Sequence, residues 1–284
     1  MRSLFICILF LFSVSFKLHA QVSTETQTAE YWHKQGIIAE NAKNYKEAVD
    51  NYTHAIMLNA KYADAYYGRG IAADKLGWTD GALLDFDDAI KLNPTDADMY
   101  YSRGLLKFKL GKHKAAVKDY TKAINLKPDF IHAYYNRGYA NYHIGLYSKA
   151  IEDYTKVIEL NPKFIEAYND RGNAESNLGY FRAAIEDFET SIKLDPNFSL
   201  GYYNKGHAEY VLKKYKEAIA DFSKTIELSP KDADAYNDRG EASYNLGNFT
   251  DAVNDFKKAI KLVPDNQLYI ENLKVATAKA LSNL

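Results

Sequence analysis

The chain repeats itself every 34 residues, and this period constrains its fold more than any other feature. One glycine in each repeat follows the period, and so, in a second phase, do all six prolines of the chain. These residues are Gly36, Gly70, Gly104, Gly138, Gly172, Gly206 and Gly240, and Pro94, Pro128, Pro162, Pro196, Pro230 and Pro264. A strict period of this length is typical of repeat proteins, in which each unit buries its apolar face only by stacking on its neighbours. The sequence therefore predicts an elongated solenoid with an extended concave surface.

Each repeat is predicted to contain two helices. In the fourth repeat Ala150, Tyr154 and Ile158 lie four residues apart, which places them in one stripe on an α-helix. A glycine directly after Leu or Ile ends the first helix of five repeats, since glycine readily takes the left-handed conformation, and the proline ends the second helix. Lys43 and Lys213 replace the turn glycine, so they are expected to adopt that conformation at a modest strain cost. The predicted fold class is all-α.

The periodic glycines lie inside the predicted first helices, where glycine costs about 1 kcal/mol relative to alanine. An alanine stands twelve residues after each of them, as Ala150 follows Gly138. Because seven such glycines are present, we expect the missing Cβ to let the helix of the facing alanine approach closely.

A large aromatic residue four positions before each glycine, such as Tyr134, completes a pattern that resembles the tetratricopeptide repeat. The resemblance implies a right-handed α-solenoid of antiparallel helix pairs, the TPR superhelix, which binds proteins or peptides in its concave groove. Seven repeats are predicted at 29–62, 63–96, 97–130, 131–164, 165–198, 199–232 and 233–266, and a helix over 267–284 is expected to cap the array. The chain departs from the family where a usual tyrosine, three residues after the glycine, is replaced by polar residues such as Asn141, Glu175 and Glu209.

A second departure is a cation directly before the glycine, where the family usually has leucine. The cations are Arg69, Arg103, Arg137, Arg171, Lys205 and Arg239, and the residues sixteen positions later are Asp85, Asp119, Asp153, Asp187, Asp221 and Asp255. The first repeat has Gln35 and Asn51 instead, so cation and anion are lost together. This correlation predicts an ion pair between the two helices of one repeat, with a structural role rather than a ligand-binding one.

The first twenty residues differ from the repeats. Arg2 precedes an apolar run from Leu4 to Phe16, and Ala20 offers a small residue for cleavage. This pattern predicts a secretory signal peptide over 1–20 and a periplasmic or secreted protein. The run is short for a membrane span, which leaves an uncleaved N-terminal anchor as the alternative. Residues 21–28 are predicted to be a flexible lead-in.

Composition and motifs exclude several classes of function. A formal net charge of −1 gives no basic footprint for nucleic acid. The sequence has no phosphate-binding glycine loop, nucleophile elbow or His-Glu-x-x-His motif, so neither an enzyme nor a cofactor is expected. The single cysteine lies in the leader, and the histidines lack ligands at matched spacing, so no metal site is expected.

The resemblance assigns the groove to six positions on the first helix of each repeat, which lie six, three and two residues before the glycine and one, four and five after it. The candidate groove residues are Tyr67, Tyr101, Tyr135, Asn136, Tyr139, Tyr142, His143, Asn169, Asp170, Asn173, Asn177, Tyr203, Asn204, His207, Tyr210, Asn237, Asp238, Glu241, Tyr244 and Asn245. Tyrosine supplies rigid area with a polar tip and asparagine can bond an extended backbone, a combination that suits peptide recognition. The alternative for the tyrosines, especially those four residues after the glycine, is packing in the core against the adjoining repeat. Asparagine is a poor helix former, so the asparagines inside helices suggest a role beyond folding, and the alternative is neutral variation of a solvated surface.

Charge at the groove positions favours a cationic partner. The ten acids there are Glu30, Glu40, Asp64, Asp74, Asp98, Glu166, Asp170, Asp234, Asp238 and Glu241, and the three bases are Lys34, Lys75 and Lys109. Such a groove attracts cationic segments and repels carboxylates and phosphates. The predicted function is therefore an exported scaffold that binds a protein or peptide, most favourably a basic one. Two alternatives stay open: a structural module of an envelope complex, and a carbohydrate or small-ligand binder that uses the tyrosines.

Overall fold

The computed structural model describes residues 28–282, so the predicted signal peptide and all but the last residue of the predicted lead-in lie outside the described residues. The described part of the chain folds into fifteen α-helices and contains no strand. They are α1 Ala29–Asn41, α2 Tyr45–Leu58, α3 Ala63–Lys75, α4 Thr79–Leu92, α5 Ala97–Lys109, α6 His113–Leu126, α7 Ile131–His143, α8 Tyr147–Leu160, α9 Ile165–Asn177, α10 Phe181–Leu194, α11 Ser199–Val211, α12 Tyr215–Leu228, α13 Ala233–Leu246, α14 Phe249–Leu262 and α15 Gln267–Ser282.

The helices belong to two compact units, which divide between Pro128 and Asp129. The first unit contains α1 to α6 and the second contains α7 to α15. Within each unit, every odd-numbered helix packs against the even-numbered helix that follows it and against the even-numbered helix before it. Short turns connect these helices, which makes consecutive helices antiparallel. The prediction of an all-α solenoid built from helix pairs is confirmed.

The turns between helices have the predicted backbone conformations. Each of the five turn glycines has a positive φ, as at Gly179 with 81°. Lys43 and Lys213 adopt a φ of 61° in the two turns that lack this glycine. The even-numbered helices end before the prolines, where a residue such as Asn161 is extended with a φ of −142°.

The periodic glycines make room for the helix of the facing alanine, and an aromatic ring of that helix fills most of the space. A Cβ built at Gly172 would lie 2.7 Å from Cε1 of Phe188, and one built at Gly104 would lie 2.7 Å from Cε1 of Tyr120. The corresponding ring meets the glycine in all seven repeats, and these rings are almost completely buried. The ring lies on the same helix as the alanine. The predicted close approach of this helix is therefore confirmed, and its aromatic ring makes the nearest contact with the periodic glycine in each repeat.

The predicted ion pairs join the two helices of each repeat that has the cation. Arg137 Nη2 lies 2.6 Å from Asp153 Oδ1, and only 5% of the Asp153 side chain is exposed. Each of the other four arginines pairs with its predicted aspartate in the same way, and Lys205 lies 3.3 Å from Asp221. The guanidinium also lies over the aromatic residue of its own helix, at 5.5 Å in the case of Arg137 and Tyr134.

The pairing with aspartate lies within one repeat, as predicted, but the arginines also contact the preceding repeat. Arg171 Nη1 donates to Thr155 Oγ1 at 3.1 Å, and Arg239 Nη1 donates to Ser223 Oγ at 3.0 Å, both in the preceding repeat. A guanidinium has five N–H donors in a planar fork, so it can bind an aspartate on one side and a hydroxyl on the other. Four of the arginines, Arg69, Arg103, Arg171 and Arg239, therefore each join three helices.

Candidate functional site

The predicted groove residues lie on the odd-numbered helices, which contact one another within each unit. In the second unit α7 contacts α9, α9 contacts α11, α11 contacts α13 and α13 contacts α15. We call the predicted groove positions of α7, α9, α11 and α13 the second groove face, and those of α1, α3 and α5 the first groove face. The two faces belong to different units and are described separately.

Hydrogen bonds between residues 35 positions apart cross the second groove face. Tyr135 Oη donates to Asp170 Oδ2 at 2.7 Å, and Tyr203 Oη donates to Asp238 Oδ2 at 2.8 Å. Asn204 Nδ2 donates to Asn169 Oδ1 at 2.8 Å in the same register. Asn272 of α15 donates to Asn237, Asn177 to Tyr142 and Asn245 to Tyr210. This set, which we call the 35-residue ladder, ties each odd-numbered helix of the second unit to the next.

The ladder explains why asparagine is present inside these helices. Asn169 and Asn237 are buried, with 5% and 2% of their surface exposed. Asn169 also donates to Asp170 Oδ1 at 3.1 Å, and Asn237 donates to Asp238 Oδ1 at 3.1 Å. A buried amide must be hydrogen-bonded, and here the neighbouring helix supplies the partner. These two asparagines therefore have a role in folding, whereas the sequence had suggested a role beyond it.

Most tyrosines of the faces are half-buried and contribute to the core. Tyr135 packs against Tyr154 with ring centroids 5.7 Å apart, and Tyr67, Tyr101 and Tyr203 contact their own core rings in the same way. Tyr142, Tyr210 and Tyr244 join core clusters that include an alanine of the following repeat or of α15. The alternative that these tyrosines pack in the core is therefore correct for their rings. Several of their hydroxyl groups take part in the 35-residue ladder.

The exposed candidates form a smaller group. Tyr139, His143, Asn177, His207 and Asn245 are exposed, and Asn136, Asn173 and Asn204 are half-buried. The Tyr139 ring stacks on that of Tyr135 at 6.5 Å and meets His143 edge-on at 4.6 Å. The Asn136 amide donates to the carbonyl of His132 at 2.9 Å.

Three carboxylates lie in the second groove face without a lysine or arginine of residues 28–282 paired to them. Burial raises the pKa of Asp170 above its ordinary value, and the hydrogen bonds from Tyr135 and Asn169 oppose that rise. The same balance holds for Asp238, with Tyr203 and Asn237 as donors. Glu241 accepts from Asn237 at 3.0 Å, from Asn272 at 2.9 Å and from Tyr210 at 3.4 Å. Among the residues that the structure describes, none of these three carboxylates forms an ion pair.

The two groove faces differ in charge. Each face carries five of the ten predicted acids, but Lys34, Lys75 and Lys109 all lie on the first face. There Lys109 Nζ pairs with Asp74 Oδ1 at 2.9 Å. The second face therefore has five acids and no lysine or arginine at these positions.

Two of the cavities on the second groove face adjoin exposed candidates. The first has a volume of about 320 Å³, with Asp170, Asn173, Tyr139, Tyr142, Asn204 and Leu200 in its wall, and we call it the Asp170 pocket. The second has a volume of about 470 Å³ and is lined by residues of α9, α10 and α11 that include Asn177, Tyr203 and His207. Tyr139, Asn173 and His207 thus lie at places where a ligand has room.

A period of 68 residues was missed in the sequence. Repeats four and six carry Tyr-Asn at 135–136 and 203–204, while repeats five and seven carry Asn-Asp at 169–170 and 237–238. The structure gives the reason: tyrosine of one repeat meets aspartate of the next, and asparagine meets asparagine. Comparison of alternate repeats, rather than adjacent ones, would have revealed the pairs.

A buried acidic cluster was also missed, although its residues stood out as departures from the family. Glu209 lies 3.7 Å from Lys205. The ammonium group of Lys205 also contacts Asp221 and Glu189, so three carboxylates share one half-buried cation. Burial raises the pKa of Glu209, and burial together with the nearby charge of Asp187 raises the pKa of Glu175 to about 7. One carboxylate oxygen of each glutamate is buried without a hydrogen-bond partner.

Between residues 28 and 282 every helix is too short or too polar for a membrane span. Over the same range no three side chains of histidine, cysteine, aspartate or glutamate come together as a metal site requires.

Family models cover most of the repeat region. Models described as tetratricopeptide repeat match residues 33–97, 132–164, 165–198 and 233–266, and one described as TPR repeat matches 105–145 and 206–247. No curated protein matches the chain.

Solved structures share the fold. MamA is 28% identical, with a TM-score of 0.56 over 58% of this chain and 91% of that one. The C-terminal part of a TPR repeat-containing protein from Cytophaga hutchinsonii is 21% identical, with a TM-score of 0.71 over 85% and 99% of the two chains. YrrB, described as a TPR protein with an unusual peptide-binding site, is 23% identical, with a TM-score of 0.57 over 66% and 97%.

Proposed function

We propose, from the premise that this chain belongs to the tetratricopeptide repeat family, that it is a scaffold whose second groove face binds an extended, cationic segment of a protein partner. One observation carries the proposal: five acids occupy the predicted positions of this face and no lysine or arginine accompanies them. The description of YrrB as a peptide-binding TPR protein supports the general class of ligand.

Electrostatics supports a basic partner over an acidic one. Asp170, Asp238 and Glu241 are held in place by donors of the 35-residue ladder, so they cannot turn away from a ligand without loss of those bonds. A fixed carboxylate that is partly removed from water attracts a cation more strongly than a mobile surface carboxylate does. Acidic peptides would meet like charges along the whole face.

Short-range contacts would come from the exposed polar side chains. The amides of Asn173 and Asn204 offer donors and acceptors to an extended peptide backbone. Tyr139 and His207 offer ring surface with polar atoms. These groups are arranged around the two cavities, which would hold side chains of the partner.

Export of the protein is part of the proposal. The apolar run from Leu4 to Phe16, followed by Ala20, supports removal of residues 1–20 and a mature chain that begins at Gln21. N-terminal sequencing of the protein from its native envelope or medium checks this proposal. A chain that retains Met1 and fractionates with membranes would favour the anchored alternative.

A peptide panel tests the binding class. Labelled decapeptides of glycine and serine with four lysines, four glutamates or neither are titrated against the full chain at low and high salt, followed by fluorescence anisotropy. We expect only the cationic peptide to bind, with an affinity that falls as salt rises. Equal affinity for the three peptides, or preference for the acidic one, contradicts the proposal. Binding of a glycan array without any peptide binding would favour the carbohydrate alternative.

A further inference from the structure

The Asp170 pocket combines a carboxylate, aromatic walls and empty space. It lies between α7, α9 and α11, with Asp170 and Asn173 from α9, Tyr139 and Tyr142 from α7, and Asn204 from α11 in its lining. Its volume of about 320 Å³ is at the lower end of the range of ligand pockets. A cavity of this size holds one long side chain rather than a large ligand.

Asp170 still has hydrogen-bonding capacity on both carboxylate oxygens. Tyr135 occupies one site on Oδ2 and Asn169 occupies one on Oδ1. Each carboxylate oxygen has two lone pairs, so one site on each remains for a ligand. A partly buried carboxylate is costly to leave without a cation, and no described residue forms an ion pair with it.

We infer that the Asp170 pocket binds the guanidinium group of an arginine side chain carried by the partner segment. The inference rests on the proposed function, because it requires a cationic segment on the second groove face. A guanidinium can donate to both oxygens of a carboxylate at once, which a compact ammonium cannot do. The same planar group stacks on tyrosine rings such as Tyr142.

The residues 68 positions after those of the Asp170 pocket form an equivalent site, which differs in structure and provides an internal comparison. Its lining residues, 68 positions on, are His207, Tyr210, Phe222, Asp238 and Glu241, and its volume is only about 30 Å³. Glu241 replaces Asn173 there and accepts hydrogen bonds from Asn237 and Asn272. The second site therefore has a carboxylate and an aromatic wall but no room for a side chain. The pocket and the general charge of the face can be separated experimentally.

Two labelled decapeptides test the inference with the full chain. Both contain four lysines in a glycine–serine background, and they differ only in a central residue, which is arginine in one and a further lysine in the other. We expect the arginine peptide to bind about tenfold more tightly, because only the guanidinium forms the bidentate contact. In the Asp170→Asn variant we expect the two peptides to bind with equal affinity. In the Asp238→Asn variant both peptides should lose affinity by a similar factor, which is smaller than the loss that Asp170→Asn causes for the arginine peptide.

A second variant separates the pocket from net charge. Asn173→Glu copies the residue of the closed site and adds a negative charge, so charge alone predicts tighter binding of both peptides. The pocket account predicts that the preference for arginine falls to nearly one. Circular dichroism and thermal unfolding show whether each variant is folded.

The outcomes distinguish the two proposals. If neither cationic peptide binds, the proposed function fails. If both bind equally well to the parent protein, or if Asp170→Asn and Asn173→Glu keep the arginine preference, the proposed function stands and the arginine pocket is overturned.

Discussion

The two units use the same helix pairs but present different surfaces. In the first unit the groove face carries lysines beside its acids, and Lys109 neutralises Asp74 across neighbouring helices. In the second unit Asp170, Asp238 and Glu241 accept hydrogen bonds from tyrosine and asparagine, which hold the carboxylates without neutralising them. Both units have the same types of residue at the repeat positions that form the contacts between helices, such as the periodic glycines and the rings against them. The difference teaches that the groove positions can vary between repeats while the packing of the repeat is kept.

The shared scaffold predicts the largest effect. Gly104→Ala in the first unit and Gly172→Ala in the second place a Cβ 2.7 Å from a buried ring, so each should lower the free energy of unfolding by about 3 kcal/mol. Gly81→Ala is the matched control, because no atom lies within 4 Å of its new Cβ. Chemical denaturation measures all three. If Gly104→Ala lowers the free energy of unfolding and Gly172→Ala does not, the contact between glycine and ring is not equally tight in the two units.

The ion pairs predict the next effect. Arg137 and Asp153 are much more buried than a surface pair, with 20% and 5% of their side chains exposed. A double-mutant cycle to alanine should therefore give a coupling free energy of about 2 kcal/mol, above the range of exposed pairs. The pair Lys156–Glu159 at the surface is the control, for which a coupling of about 0.3 kcal/mol is expected. Equal coupling for both pairs would contradict a structural role for the buried one.

Acid residues three positions after the glycine predict a pH dependence specific to the second unit. The first unit has Ala73 and Lys107 there, while the second has Glu175 and Glu209. The pKa of Glu175 is raised from 4.5 to about 7 by burial and by Asp187, so the folded state keeps a proton that the unfolded state loses. The free energy of unfolding therefore falls as the pH rises from 4.5 to 7.

The variant Glu175→Gln removes this titration. At pH 8 it should be more stable than the parent by about 1 kcal/mol, and at pH 5 the difference should shrink. Denaturation at several pH values measures the effect. A variant whose advantage is independent of pH would exclude Glu175 as the titrating group.

Local patterns of the sequence predicted the fold well. Turn glycines, prolines and the Ala–Tyr–Ile stripe act within one helix or one turn, so their consequences can be derived from spacing. The approach of the Ala184 helix to Gly172 was predicted, but the ring of Phe188 that fills the contact was not, because spacing identifies the helix that approaches and not the atoms that touch. The hydroxyl contact of Arg171 with Thr155 was missed because it crosses to the preceding repeat.

The candidate site was less predictable for a related reason. Asn169 and Tyr135 were selected as groove residues by their position, but their polar atoms bond the neighbouring helix. Their replacement by alanine would disturb folding as well as binding. Partners 35 residues apart do not occupy equivalent positions of a 34-residue repeat. A comparison of equivalent positions therefore does not find them, and the packing of the neighbouring helices is needed to identify them. The sequence predicted the summed charge of the groove positions but not how that charge is divided between the two groove faces. The division depends on the boundary between the two units, which lies after Pro128.

The most direct test of the account compares matched charge variants of the two groove faces. Asp170→Asn, Asp238→Asn and Glu241→Gln are combined in one variant, and Asp64→Asn, Asp98→Asn and Glu30→Gln in the other. Affinity for the cationic decapeptide is measured at low and high ionic strength, with circular dichroism as the folding control. The account predicts that the first variant binds about fivefold more weakly at low ionic strength and loses most of its salt dependence, while the second resembles the parent. Equal losses in both variants, or a loss confined to the first groove face, would contradict it.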